Sequence, residues 1–183
     1  MKKILLALVI FMIVSVSVFA DFDILSYPPP VKGGNIMIDA GLGLRGVGYS
    51  GAKWNIPPIF VQVEYALPVQ VPISVGGLFA MYQYGYKWSS TYKWTWTDMT
   101  IAARGNWHWG FDISWLDLYT GISLGYTISK WKSEPSWSGS VSDYSGFYFG
   151  GQAGAHFYFT KNIGLDVEFG APYWLKAGIA LKF

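Results

Sequence analysis

The stretch that decides the fold is Leu116-Asp117-Leu118-Tyr119-Thr120-Gly121-Ile122-Ser123-Leu124-Gly125-Tyr126-Thr127-Ile128. Leu116, Leu118, Thr120, Ile122, Leu124, Tyr126 and Ile128 alternate with Asp117, Tyr119, Gly121, Ser123, Gly125 and Thr127. Successive side chains of a β-strand point to opposite faces, so this is one long strand with an apolar and a polar face.

The same period returns along the chain. Ile36, Ile38, Ala40, Leu42 and Leu44 alternate with Asn35, Met37, Asp39, Gly41, Gly43 and Arg45. Further two-faced segments run through 59–67, 99–108, 147–159, 165–170 and 175–183, and a less clean one through 73–84, where Leu78 and Phe79 are adjacent and leave the faces ambiguous. That makes eight strands. Their connections alternate in kind: 68–72, 110–115 and 160–163 are short, whereas 46–57, 85–97 and 129–145 are long and polar-aromatic. Short turns at one end and long loops at the other is the pattern of outer-membrane barrels. The connection at Ala171-Pro172-Tyr173 is an exception, being short on the long-loop side.

Upstream of the strands, Lys2 and Lys3 precede an apolar run from Ile4 to Phe19 that closes with Val18-Phe19-Ala20. This reads as a cleaved signal peptide over 1–20, against the competing reading of a spanning helix, which needs about 20 apolar residues. Residues 21–34, with Pro28-Pro29-Pro30, form a periplasmic lead, and 35–183 form the barrel. Without Lys2 and Lys3, the 13 basic residues of the chain come level with its 11 acidic ones, which excludes the basic footprint of a nucleic-acid binder. Cysteine is absent, and charged residues are 13% against 19% aromatic. A chain this apolar, without a further apolar run of helical spanning length, has one membrane solution: a closed barrel that pairs every backbone N–H and C=O. The expected fold is therefore an all-β, eight-stranded antiparallel up-and-down transmembrane barrel.

Periodicity alone leaves open which face is outside, because a soluble lipocalin-like barrel would turn its apolar face inward. Small residues on the polar face, and Trp107, Trp109, Trp115, Phe157 and Phe159 at strand ends, favour the membrane reading. With that choice Asp39, Arg45, Glu64, Arg104, Asp117, Asp166, Glu168, Lys176 and Lys182 point into the lumen. Asp39, Glu64, Arg104, Asp166, Glu168 and His156 are the candidate lumen charge network, with Glu64, Asp39 or Asp166 as partners of Arg104. An eight-stranded barrel is just wide enough for side chains to fill it, so charges there must be paired. Tyr82, Tyr119, Tyr148 and Gln152 are inward and fill the lumen.

The ending Lys176-Ala177-Gly178-Ile179-Ala180-Leu181-Lys182-Phe183 resembles the C-terminal assembly signal of outer-membrane barrels, carried by Lys176, Gly178, Leu181 and Phe183. The resemblance implies recognition by the barrel-assembly machinery. Ala103-Arg104-Gly105-Asn106-Trp107-His108, Leu118 to Tyr126, and His156-Phe157-Tyr158-Phe159-Thr160 are similar to the small outer-membrane β-barrel proteins of OmpX- and OmpW-like style. That family is functionally mixed. Its resemblance implies a bacterial outer-membrane location and a monomer in contact with outer-membrane lipid and lipopolysaccharide.

Chemistry is sparse. His108 and His156 lie near the periplasmic strand ends, without the His-x-Ser spacing that lipid A deacylases share, and two histidines on different strands without cysteine make no metal set. No enzyme activity, cofactor or metal is expected; a lipid A-modifying enzyme is the weakest reading. In the long connections Lys53, Trp54, Lys87, Trp88, Lys93, Trp94, Lys130, Trp131 and Lys132 interleave cations with indoles and are candidate extracellular contacts for lipopolysaccharide or glycans; the alternative is a continued girdle on strands that protrude above the membrane. The expected role is structural or surface-interacting (adhesion, envelope integrity or defence). A narrow passage for small hydrophobic molecules, as in OmpW-like proteins, is the alternative.

Overall fold

The computed structural model describes residues 28–45, 50–89, 92–134 and 143–183. The expected signal peptide with its Val18-Phe19-Ala20 site, most of the lead, and Trp137 lie outside the described residues. Eight strands close into one antiparallel barrel in sequence order: β1 Ile36–Leu44, β2 Lys53–Ala66, β3 Ile73–Lys87, β4 Lys93–Trp109, β5 Leu116–Glu134, β6 Tyr144–Tyr158, β7 Ile163–Gly170 and β8 Leu175–Lys182. The seam is β1 against β8, with Ala40 opposite Ile179 and Gly41 opposite Gly178. At this seam the backbones approach too closely for a side chain: a Cβ on Gly41 would sit 2.1 Å from the Ala177 carbonyl oxygen.

The alternation resolves as the membrane reading requires. Asp39, Glu64, Arg104, Asp117, Asp166, Glu168 and Lys176 are buried inside, while Leu42, Val61, Val63, Phe79, Ile101, Ile122, Phe149 and Ile179 are exposed outside. The ambiguity at Leu78 and Phe79 resolves the same way: Leu78 is inside and Phe79 outside.

The long loops do not exist at the lengths expected. Residues 53–57, 85–87, 93–97, 129–134 and 144–145 are strand. β4 has 17 residues and β5 has 19, more than the roughly 9–11 that cross a bilayer. Outward residues turn from apolar to polar toward the distal end, as in Met81, Gln83, Gly85, Lys87 along β3, yet the backbone ladder continues. A reading that follows apolar alternation stops where the outward residues turn polar; the strands do not. In β2 the register shifts between Trp54 and Ile59, where Pro57 and Pro58 lack an N–H to give the ladder.

The short connection 171–174 also has a structural reason. It folds Tyr173 back into the lumen, where its hydroxyl donates to the carbonyls of Ile59 and Met81 at 3.0 and 2.9 Å. Gly43 leaves room for that ring, since a Cβ there would lie 2.0 Å from it.

Candidate functional site

Three layers fill the barrel. Nearest the termini, Val31 from the lead packs with Met37, Ala66 and Tyr158, and Lys182 lies 3.8 Å over the Tyr158 ring with its ammonium on the Pro30 carbonyl. Towards the opposite, distal end, Phe60, Leu78, Ala80, Tyr82, Ala102, Tyr148 and Tyr173 form an apolar plug, over which Arg45 stacks on Tyr82 at 4.5 Å and meets Asp98 at 3.8 Å. The charges occupy the layer between.

Arg104 is the hub. Its Nε meets Glu64 at 2.8 Å, one terminal nitrogen meets Glu168 at 2.6 Å, and the other donates to Gln62. Glu168 also takes Lys176 at 2.5 Å. Glu64 further accepts from Asn106, at 2.7 and 2.8 Å, and from Ser74. Tyr119 bridges Asp166 at 2.7 Å and Glu168 at 2.9 Å. The expected Glu64 partner of Arg104 is found; Asp39 and Asp166 are not its partners. They face Nε2 of His156 instead, at 3.5 and 3.6 Å, while Nδ1 of His156 is 2.8 Å from Asp117. Arg104 pairs its second carboxylate two rows away on β7, a choice that depends on the barrel's stagger and that no single-strand pattern carries.

Further side chains complete the layer. Lys176, expected to point inward and to form part of the terminal signal, is fully buried. Asp117 joins both histidines, with His108 Nδ1 at 2.9 Å. Ser74 lies 2.9 Å from His108 Nε2, so Ser74, His108 and Asp117 stand in the order of a nucleophilic triad. The serine hydroxyl is turned to a different partner. Ser74 donates its single hydroxyl proton to Glu64, so it has none to offer His108. Ser74 is moreover sealed from a cavity of about 320 Å³ that opens beneath His108 between the lead and the β2–β3 turn; His108 lines that cavity and Ser74 does not.

Asp39, Glu64, Asp117, Asp166 and Glu168 surround Arg104, Lys176, His108 and His156. Such a layer is costly to desolvate and is held by mutual pairing, so its parts are strongly interdependent.

The candidate contacts at the distal end separate onto two faces. Trp54, Tyr82 and Tyr84 contact one another edge-on or stacked, Trp94 meets Tyr84 and Tyr86, and Trp94 stacks on Trp131 at 4.7 Å. These rings continue the inward file of the lumen upward. Lys53, Lys87, Lys93, Lys130 and Lys132 occupy the alternate, outward positions, and only Trp88 stays in a connection. The lysine and indole side chains therefore do not interleave on one surface. Of the terminal signal, Gly178 sits in the seam and Phe183 points outward; its backbone closes the seam with Ile36 through bonds of 3.0 and 2.9 Å.

No protein-family model and no curated protein matches the sequence. Among solved structures the fold is similar to Ail, the attachment invasion locus protein of Yersinia pestis, crystallised in complex with the heparin analogue sucrose octasulfate (TM-score 0.53, 17% identity, 84% of this chain and 100% of that one). It is also similar to the outer membrane protein OprG from Pseudomonas aeruginosa (TM-score 0.51, 13% identity, 88% of this chain and 99% of that one). The fold is that of the small eight-stranded outer-membrane β-barrels.

Proposed function

We propose that the chain is exported by a cleaved signal peptide to a bacterial outer membrane, where it stands as a sealed barrel with periplasmic termini and a structural or surface-interaction role. The observation that carries the reading is the paired, fully buried layer around Arg104, closed on one side by Val31 and Tyr158 and on the other by Phe60, Tyr82 and Tyr173. A lumen filled in this way serves as a rigid anchor for what the distal strand ends present. The name of Ail speaks of attachment, and its complex holds a polysulfated saccharide; contact with envelope or host surfaces is the same class of role.

The test is conductance. The refolded full chain in planar bilayers is expected to show no discrete current steps, and vesicles carrying it no accelerated uptake of small hydrophobic solutes. Resolved current steps or saturable uptake would replace the sealed barrel by the narrow-passage reading.

A further inference from the structure

The separation of lysines from indoles says where a partner must stand. Lys53, Lys87, Lys93, Lys130 and Lys132 all lie on the outer face of β2–β5, the face whose lower rows touch hydrocarbon. The last apolar row is Met81, Met99 and Ile128. The next row up holds Gln83, Thr97 and Lys130; the one above it Lys53, Gly85, Thr95 and Lys132; the third Lys87, Lys93 and Glu134. Rows two residues apart are ~7 Å apart along the strand, so the cations begin at headgroup height and rise two rows above it. Only Lys93 has a carboxylate partner among the described residues, Glu134 at 2.8 Å.

The second row has a notch. Beside Gly85 a cavity of about 420 Å³ opens, lined by Lys53, Asn55, Lys87, Lys93 and Thr95. The ammonium groups of Lys53 and Lys87, with no carboxylate partner among the described residues, together with an amide and a hydroxyl around a recess, suit an anion with several acceptor oxygens. These lysines face sideways, on the side of the strands away from the indole file.

We propose that this outward lysine face binds the phosphate groups of the glycolipid that surrounds the barrel in the outer leaflet, with the Gly85 notch seating one phosphate. The face is continuous with the lipid-facing belt, and its charge is opposite to that of the phosphates. The inference rests on the outer-membrane orientation proposed above.

The experiment uses the full chain folded into phosphatidylcholine vesicles doped with fluorescent lipid A that carries or lacks its phosphates; the lipid retained on the barrel after detergent extraction is measured. Phosphorylated lipid A is expected to be retained roughly tenfold or more over the dephosphorylated form. That preference should vanish when the five lysines are replaced by glutamine and persist in Lys161→Gln, at the opposite end of the barrel. Folding is checked in each variant by heat-dependent electrophoretic mobility; should the fivefold variant not fold, Lys130→Gln with Lys132→Gln must lower the preference. Equal retention of both lipids by the wild-type barrel overturns the inference. So does binding of soluble heparin without any phosphate preference in lipid, which would assign the face to a free polyanion. A barrel that inserts but shows no preference sinks this inference alone, whereas failure to insert sinks the orientation beneath it.

Discussion

Arg104 shows why the lumen is all-or-none. It is buried and joins Glu64 on β2 to Glu168 on β7, so its removal leaves Glu64 without a cation and Glu168 with Lys176 alone. Arg104→Ala should destabilise the folded barrel by ~3–5 kcal/mol, read as a shift in a urea refolding titration. Arg104→Met with Glu64→Leu removes one charge of each sign, yet it leaves Asn106 and Ser74 without the acceptor they share. The double variant should therefore recover only part of the loss; full recovery would mean that the polar neighbours contribute nothing. Lys176 keeps Glu168 paired in either variant.

At the scale of one strand, β4 carries a signed test in adjacent residues. Ile101 is 61% exposed on the lipid face, whereas Thr100 is 4% exposed and shares a hydrogen bond with Thr127. Ile101→Arg should cost ~2–4 kcal/mol in a bilayer at mid-depth. Thr100→Leu, which overfills a packed lumen, should cost ~1–3 kcal/mol. An Arg at 101 tolerated in lipid beside an intolerable Leu at 100 would turn the barrel inside out. Farther up the same strand the logic of the faces persists but its meaning changes. Inward positions go from Thr100 through Asp98 to Trp96 and Trp94, and outward ones from Ile101 through Met99 and Thr97 to Lys93, so the strand ends as an aromatic inner wall with a basic outer one.

For the molecule as a whole, closure depends on β1 meeting β8. Phe183 contributes its own backbone to that meeting, donating to Ile36 and accepting from it and from Asn35, while its ring points outward with 62% exposure. Deleting Phe183 should slow insertion, because the last rung and the terminal aromatic disappear together. Pulse-chase of folded and unfolded forms measures this, and an unchanged insertion rate for the truncated chain would show that the penultimate rungs suffice. The lead adds a second restraint at that end through Val31 and the Pro30 carbonyl.

Strand number, facing and the inward set of charges were legible from period-2 alternation alone, because each side chain's face follows from its position in its own strand. Asp39, Glu64, Arg104, Asp166, Glu168 and His156 could be placed in the lumen without knowledge of any neighbour. Partners could not. Which carboxylate meets Arg104, which nitrogen of His156 meets Asp117, and that Ser74 gives its proton to Glu64 depend on strand stagger around the closed barrel, a long-range property absent from any one segment. The distal end was misread for a related reason. Its outward residues lose their apolar signal where lipid gives way to water, although backbone pairing between neighbouring strands continues unchanged. Tertiary pairing alone therefore made residues 53–57, 85–87, 93–97, 129–134 and 144–145 of the expected loops strand, and put lysine and tryptophan, adjacent in the chain, on opposite faces of one sheet.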